Sequence, residues 1–109
     1  MQTVVELPEF IRRAHQLLWH GESQLLVSYL AEFPLAGVLI EGTGGIRKIR
    51  WAREGIGKRG GVRVIYYFHS ERMPLYLLTV FGKNERADLS MAERVALGKF
   101  VKRLVDASR

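Results

Sequence analysis

The chain has 109 residues and a formal net charge of +6, and 48% of its residues are hydrophobic. A chain of this length predicts a single domain, residues 1–109, with enough apolar side chains to bury a core without metal or disulfide cross-links. It has no cysteine, which excludes disulfides, thiolate metal sites and cysteine nucleophiles and fits a reducing compartment. The N-terminal segment lacks a signal-peptide pattern, and the longest apolar runs are far too short to cross a bilayer. We therefore expect a cytoplasmic protein without a membrane partner.

The positive charge is concentrated in one segment. Residues 47–63 contain seven basic residues and one acidic residue, whereas the rest of the chain has ten of each. Seven of the eleven glycines lie within residues 42–63. A solvated charged loop is the alternative interpretation, but such a concentration favours a surface that binds a polyanion, above all a nucleic acid.

The first third of the chain predicts a short strand followed by two helices. "TVVEL" at residues 3–7 reads as the strand, and Pro8 suits the first turn of a helix because its missing N–H needs no partner there. We expect Ser23 to cap the second helix and Pro34 to end it. The predicted inward-facing residues of the two helices are Phe10, Ala14, Leu17, Leu18, Leu26, Tyr29, Leu30 and Phe33.

The remainder predicts three strands and a final helix. The runs at 46–52, 62–70 and 75–83 are rich in β-branched and aromatic residues and are bounded by glycine, proline or polar clusters. "SMAE" at residues 90–93 is a capping box, in which Ser90 and Glu93 each satisfy an amide at the start of a helix. The element order is β-α-α-β-β-β-α, which places the fold in the α+β class with an antiparallel-rich sheet.

A possible cofactor motif fails its context test. Gly55, Gly57 and Gly60 match G-x-G-x-x-G, but a dinucleotide-binding turn must follow a strand and open a helix. Here a strand follows the glycines, and the spacing of a phosphate-binding loop is also absent. We expect no cofactor.

Strand alternation predicts a cluster of cations on one sheet face. Lys48 and Arg50 point to one side of their strand, with Ile49 and Trp51 on the other. If the next strand is a neighbour, Arg63 joins them, and Lys83 follows the third strand. The alternative is that these cations pair structurally with Glu41, Glu85 or Asp88. Tyr66, Tyr67 or Trp51 would stack on bases if exposed, although burial is expected for two of the three.

The chemistry that this pattern supports is phosphoryl transfer. The sequence has no spacing typical of a nucleophilic triad, a carboxylate pair or a metal site. A ribose 2′-OH of RNA can attack its own phosphate, so a protein need only align it and stabilise the developing charge. Lysine and arginine perform the second task well.

Three segments resemble a known family: "GTGGIRKIRWA", "GKRGGVRVIYYF" and "LLTVFGKNERADLS". They are similar to the HigB subgroup of the RelE/ParE toxin superfamily, the toxic halves of bacterial toxin–antitoxin pairs. The resemblance covers roughly residues 3–105 and implies a RelE-like fold. It also implies a metal-independent endoribonuclease that cuts mRNA in the ribosomal A site next to rRNA and leaves a 2′,3′-cyclic phosphate. The implied partner is an antitoxin with a helix-turn-helix domain. The toxin would contact DNA only indirectly, through this antitoxin.

The resemblance assigns catalytic roles to Lys48, Arg50, Arg63 and Lys83. Asn84 stands where RelE-type enzymes have an arginine, and Ser90 where they have a catalytic tyrosine, so the general base is open. Neighbouring cations favour a neutral amine, and either Lys48 or Lys83 could serve as the base. The predicted RNA-binding residues are Arg47, Arg53, Lys58 and Arg59. Two other functions stay open: a gyrase-inhibiting toxin of the ParE type and a non-catalytic nucleic-acid-binding module.

Overall fold

Apolar and β-branched residues near the N-terminus and in the C-terminal two thirds of the chain form the strands of one mixed sheet. The computed structural model describes residues 2–19, 21–51 and 61–109. Its elements are β1 (Val4–Glu6), α1 (Pro8–Leu17), α2 (Glu22–Glu32), β2 (Val38–Leu39), β3 (Ile46–Trp51), β4 (Val62–Tyr67), β5 (Leu75–Gly82) and α3 (Met91–Ala107). The strand order is β1-β5-β4-β3-β2, with β1 parallel to β5 and the other neighbours antiparallel. The predicted α+β class is confirmed.

Helices cover both faces of the sheet. Val64 and Tyr66 pack in one core cluster with Phe10 of α1 and Leu26 of α2. The alternate residues of β4 pack in a second cluster on the side of α3. Because both faces are covered, β4 is apolar on both sides, and Arg63 is its one charged residue.

The predicted inward face of α1 is confirmed, but two expectations for α2 are wrong. Gly21 occupies the N-cap position with a left-handed φ of 91° and without a side-chain cap, so Ser23 lies inside the helix. Tyr29 and Phe33 are 39% and 49% exposed, because only a narrow stripe of α2 faces the core. The two exposed rings contact each other instead, with centroids 5.2 Å apart.

The C-terminal helix begins as predicted. Ser90 Oγ accepts a hydrogen bond from the Glu93 amide at 3.1 Å, and a Glu93 carboxylate oxygen accepts one from the Ser90 amide at 2.8 Å. The two-residue strand β2 was not predicted, since so short a segment shows no alternation. Within the described ranges, none of the helices has the length and apolarity needed to cross a membrane.

Candidate active site

The centre of the site is a pair of arginines on neighbouring strands. Arg50 of β3 lies directly opposite Arg63 of β4 in the antiparallel register. Directly opposed residues have Cβ atoms about 4.5–5.5 Å apart, and like charges in that position destabilise the sheet. Within residues 2–19, 21–51 and 61–109, neither guanidinium forms a hydrogen bond or ion pair. The structure therefore brings together two cations that have no anion among the described residues.

Lys48 extends the pair along the same face of β3 and is held by a carboxylate. Its Nζ donates to Asp88 Oδ2 at 2.9 Å, and Arg94 Nη2 donates to the same oxygen at 3.2 Å. The Leu89 amide donates to Oδ1 of Asp88 at 2.8 Å. Asp88 thus fixes Lys48 to the start of α3. The expected alternative of structural pairing applies to Lys48, and Arg94 is a neighbour that the sequence pattern did not indicate.

The pKa of Asp88 is lowered by these contacts. Desolvation is the largest single influence and raises the pKa, but the hydrogen bonds from Lys48 and the Leu89 amide and the charges of Lys48 and Arg94 together outweigh it. Asp88 is therefore a carboxylate at neutral pH. Its two cationic neighbours compensate its charge.

Lys83 lies at the same end of the sheet as Arg63. Its amide donates to the carbonyl of Gly61 at 3.2 Å, one residue before β4 begins. Gly82, just before it, pairs with Val62, just before Arg63. The exposed side chain of Lys83 has no hydrogen bond or ion pair among the residues that the structure describes. Arg50, Arg63 and Lys83 lie at one end of β3, β4 and β5, and Lys48 lies two residues before Arg50 in β3. We call these four cations, which are expected to be catalytic, the basic cluster.

Arg47 lies apart from the basic cluster. It alternates with Lys48 along β3 and pairs with Tyr66, whose side chain belongs to the opposite core. Its Nη1 donates to the carbonyl of Gly37 at 2.7 Å. This contact ties β3 to the segment before β2, and the expected contact of Arg47 with RNA stays a prediction. The other expected RNA contacts, Arg53, Lys58 and Arg59, lie outside the described residues.

The remaining polar groups near the basic cluster have structural partners. Glu85 forms an ion pair with Arg13 and accepts from the Gly82 amide at 2.8 Å, and these two hydrogen bonds lower its pKa. Ser90, where the resemblance leads one to look for a tyrosine, caps α3. Tyr66 and Tyr67 are buried, as expected for two of the three aromatic residues.

Replacing Asp88 by asparagine is expected to make stability less dependent on pH. The folded-state pKa of Asp88 lies below its unfolded value of about 3.9. Its charge therefore stabilises the fold above that value, and the contribution is lost as pH falls through the folded-state pKa. The melting temperature of Asp88→Asn should lie below that of the parent at pH 7, and the gap should narrow below about pH 4.

The matched control for this experiment is Asp106→Asn, which removes an exposed carboxylate from α3. Thermal unfolding followed by circular dichroism across the pH range makes the comparison. A gap for Asp88→Asn that stays constant down to pH 2 would contradict the role of its charge.

The arrangement of the basic cluster suits the binding of a phosphate. Among residues 2–19, 21–51 and 61–109, no group of three or more His, Asp or Glu side chains is placed to hold a metal ion. Two opposed guanidinium groups and an adjacent ammonium group offer many donors to phosphate oxygens.

Comparison with known proteins identifies the class to which this fold and site belong. Residues 37–109 match the family model described as the RelE toxin of the RelE/RelB toxin–antitoxin system. This match covers β2 to α3 and so includes the whole basic cluster. The class is therefore that of toxins from toxin–antitoxin systems.

A structural match supports the same fold. The chain is similar to a solved structure of a double mutant of the E. coli toxin RelE in the free state, with a TM-score of 0.58 and 18% sequence identity. The match covers 94% of this chain and 96% of that one. The protein belongs to the RelE toxin family.

Proposed function

We propose that the protein is a ribosome-dependent endoribonuclease of the HigB subgroup, which cuts mRNA in the A site and arrests translation in the cytoplasm. The observation that supports this proposal most is the opposition of Arg50 and Arg63. Two like charges in that position lower the stability of the sheet. A scissile phosphate between them would offset their repulsion and would give both guanidinium groups an anion.

The proposed reaction is attack by a ribose 2′-OH on the adjacent phosphorus. The 2′ oxygen forms a bond to phosphorus, the 5′ oxygen of the next nucleotide leaves, and a 2′,3′-cyclic phosphate remains. A base removes the proton from the 2′-OH, and an acid supplies one to the leaving oxygen. Arg50 and Arg63 stabilise the charge on the non-bridging oxygens, which needs no metal ion or cofactor.

The remaining roles, those of the general base and of the donor to the phosphate or the leaving oxygen, are assigned to Lys83 and Lys48. Lys48 donates a hydrogen bond to Asp88, and this contact fixes its amino group in a position that suits a donor to the phosphate or to the leaving oxygen. Lys83 has no such carboxylate in the described part of the chain. We therefore assign the general base to Lys83 in preference to Lys48.

The proposed partners follow from the family and the charge. RelE-family toxins pair with an antitoxin. For this protein we propose an antitoxin with a helix-turn-helix domain, and we propose that the antitoxin, not the toxin, contacts DNA. Arg53, Lys58 and Arg59 are proposed to contact phosphates of rRNA and mRNA, since they continue the basic segment that begins in β3.

The test is to express the chain from a tightly repressed promoter and map RNA 5′ ends after induction. We expect growth arrest and new 5′ ends inside translated regions. Purified protein should cut an mRNA on programmed ribosomes and leave the same mRNA intact without them. Intact mRNA together with double-strand DNA breaks would contradict the proposal and favour a gyrase inhibitor. Binding to RNA without cleavage would favour a non-catalytic module.

A further inference from the structure

A cavity outside the basic cluster lies on the same side of the sheet as α3. Its volume is about 710 Å³, and it is lined by residues 42–44 of a turn and by residues of α3. Gly42 and Gly44 line one wall, and Lys99 and Lys102 line the other. We call this cavity the α3 groove.

The charged side chains that line the α3 groove are mostly basic, and Val95, Val101 and Val105 supply an apolar part of its lining. Lys99, Lys102 and Arg109 lie on one side of α3 or directly after it, and all three are exposed. The one carboxylate that lines the groove is Asp106. None of these four side chains forms an ion pair with another residue in the described ranges. The groove therefore presents three cations and one anion to solvent.

The opposite wall is bare backbone on a fixed turn. Gly42 and Gly44 have left-handed φ values of 79° and 76°, and a Cβ at either position would meet nothing within 4 Å. The buried hydroxyl of Thr43 donates to the Ile40 carbonyl at 2.7 Å and accepts from the Ile46 amide at 3.1 Å, which fixes the turn. Turn backbone in this conformation offers amides of the kind that bind anions.

An aromatic pair, Tyr67 and His69, also lines the groove. Tyr67 and His69 stack with ring centroids 6.2 Å apart and an angle of 24° between the planes. The Tyr67 hydroxyl lies 3.2 Å from His69 Nδ1, which holds the imidazole in place. Tyr67 is buried and His69 is exposed, so one face of a fixed ring is available beside the cations. Unstacked bases of single-stranded RNA bind such rings.

The groove continues the basic cluster along α3. Arg94 contacts Asp88, the partner of Lys48, and its Nη1 also donates to the carbonyl of Glu41 at 3.4 Å, in the turn that forms the groove wall. α3 continues for thirteen residues beyond Arg94 to Ala107, which is about 20 Å at the rise of an α-helix, and Arg109 follows its end. The cations thus form a path from the basic cluster to the end of the helix.

We propose that the α3 groove binds the phosphate backbone of single-stranded RNA leading to or from the basic cluster, with His69 stacking on a base. This proposal rests on the proposed function in taking RNA as the ligand. The groove supplies affinity and not chemistry, because Arg50 and Arg63 do not line it.

The test compares two double variants of the full chain. K99A/K102A removes two groove cations, and alanine preserves the helix. R72A/R103A removes two exposed arginines that do not line the groove and is the matched control. The probe is a short single-stranded 2′-O-methyl RNA, which lacks the attacking hydroxyl and is not cut. Fluorescence anisotropy over a series of salt concentrations gives the affinity and its salt slope.

We expect the slope of log K against log salt to be about 1.4 shallower for K99A/K102A, because each phosphate contact on a single strand contributes about 0.7. The control should keep the parental slope. Equal slopes for parent and K99A/K102A would overturn the proposal. So would unchanged RNA binding combined with weaker capture of the cognate antitoxin, which would make the groove a protein interface.

The outcome is separable from that of the proposed function. If the parent does not cut mRNA but K99A/K102A still loses salt-dependent RNA affinity, the groove assignment stands and the nuclease assignment fails. If the parent cuts mRNA and the slopes are equal, the groove assignment alone fails.

Discussion

Arg63→Ala should reduce mRNA cleavage by about 10²–10³-fold and abolish growth arrest, while the protein stays folded. Removing one contact that stabilises developing charge in a transition state typically costs about 3–4 kcal/mol. Stability should be kept because the variant also removes the repulsion between opposed Arg50 and Arg63. Single-turnover cleavage on programmed ribosomes and a thermal melt of the same preparation measure the two effects.

Two further variants sharpen this test. Arg63→Lys keeps the charge but not the forked donor geometry, so its cleavage rate should fall between those of the parent and Arg63→Ala. Arg72→Ala removes an exposed arginine outside the site and should match the parent in both assays. If Arg63→Ala melts at the parental temperature and cleaves at the parental rate, Arg63 has no part in the reaction. A large loss of stability would instead indicate that Arg63 has a structural carboxylate partner.

Gly37→Ala is expected to cause the largest loss of stability among the single substitutions considered. An added Cβ would lie 2.8 Å from Cε1 of Tyr66 and 2.9 Å from the backbone carbonyl of Lys48. The Tyr66 hydroxyl accepts from the Gly37 amide and donates to the Pro34 carbonyl, both at 2.8 Å. Neither the ring nor the strand can move without breaking this network.

The expected cost of Gly37→Ala is about 1–3 kcal/mol, as for overpacking in a core. Each kcal/mol lowers the melting temperature of a domain near this size by about 4–8 °C. Gly61→Ala is the matched control, because a Cβ there meets nothing within 4 Å, and it should melt close to the parent. Equal melting temperatures for the two variants would show that the segment before β2 shifts freely.

Several local features of this protein can be predicted from the sequence alone. The capping box at Ser90 and Glu93 needs only residues three apart, and the side-chain alternation that separates Lys48 and Arg50 from Ile49 needs only a strand. The apolar face of α1 likewise follows from helical periodicity. These predictions are confirmed because each depends only on residues close together in the sequence: the side-chain periodicity of a helix or strand, or a cap at the start of a helix.

Contacts between distant segments decided the rest. The parallel pairing of β1 with β5, the exposure of Tyr29 and Phe33 and the two-residue strand β2 depend on how elements pack, which local periodicity does not encode. The opposition of Arg50 and Arg63 required the register of β3 against β4, since a shift of one residue would place them on different faces. Similarly, the sequence suggested that a carboxylate pairs with the cations, but it did not indicate which one. In the fold, Lys48 forms an ion pair with Asp88, and Glu85 forms one with Arg13. An ion pair requires the two charged groups to lie within about 4 Å of each other. The partners are 40 residues apart in the sequence for Lys48 and Asp88 and 72 residues apart for Arg13 and Glu85, so only the tertiary structure determines that they meet.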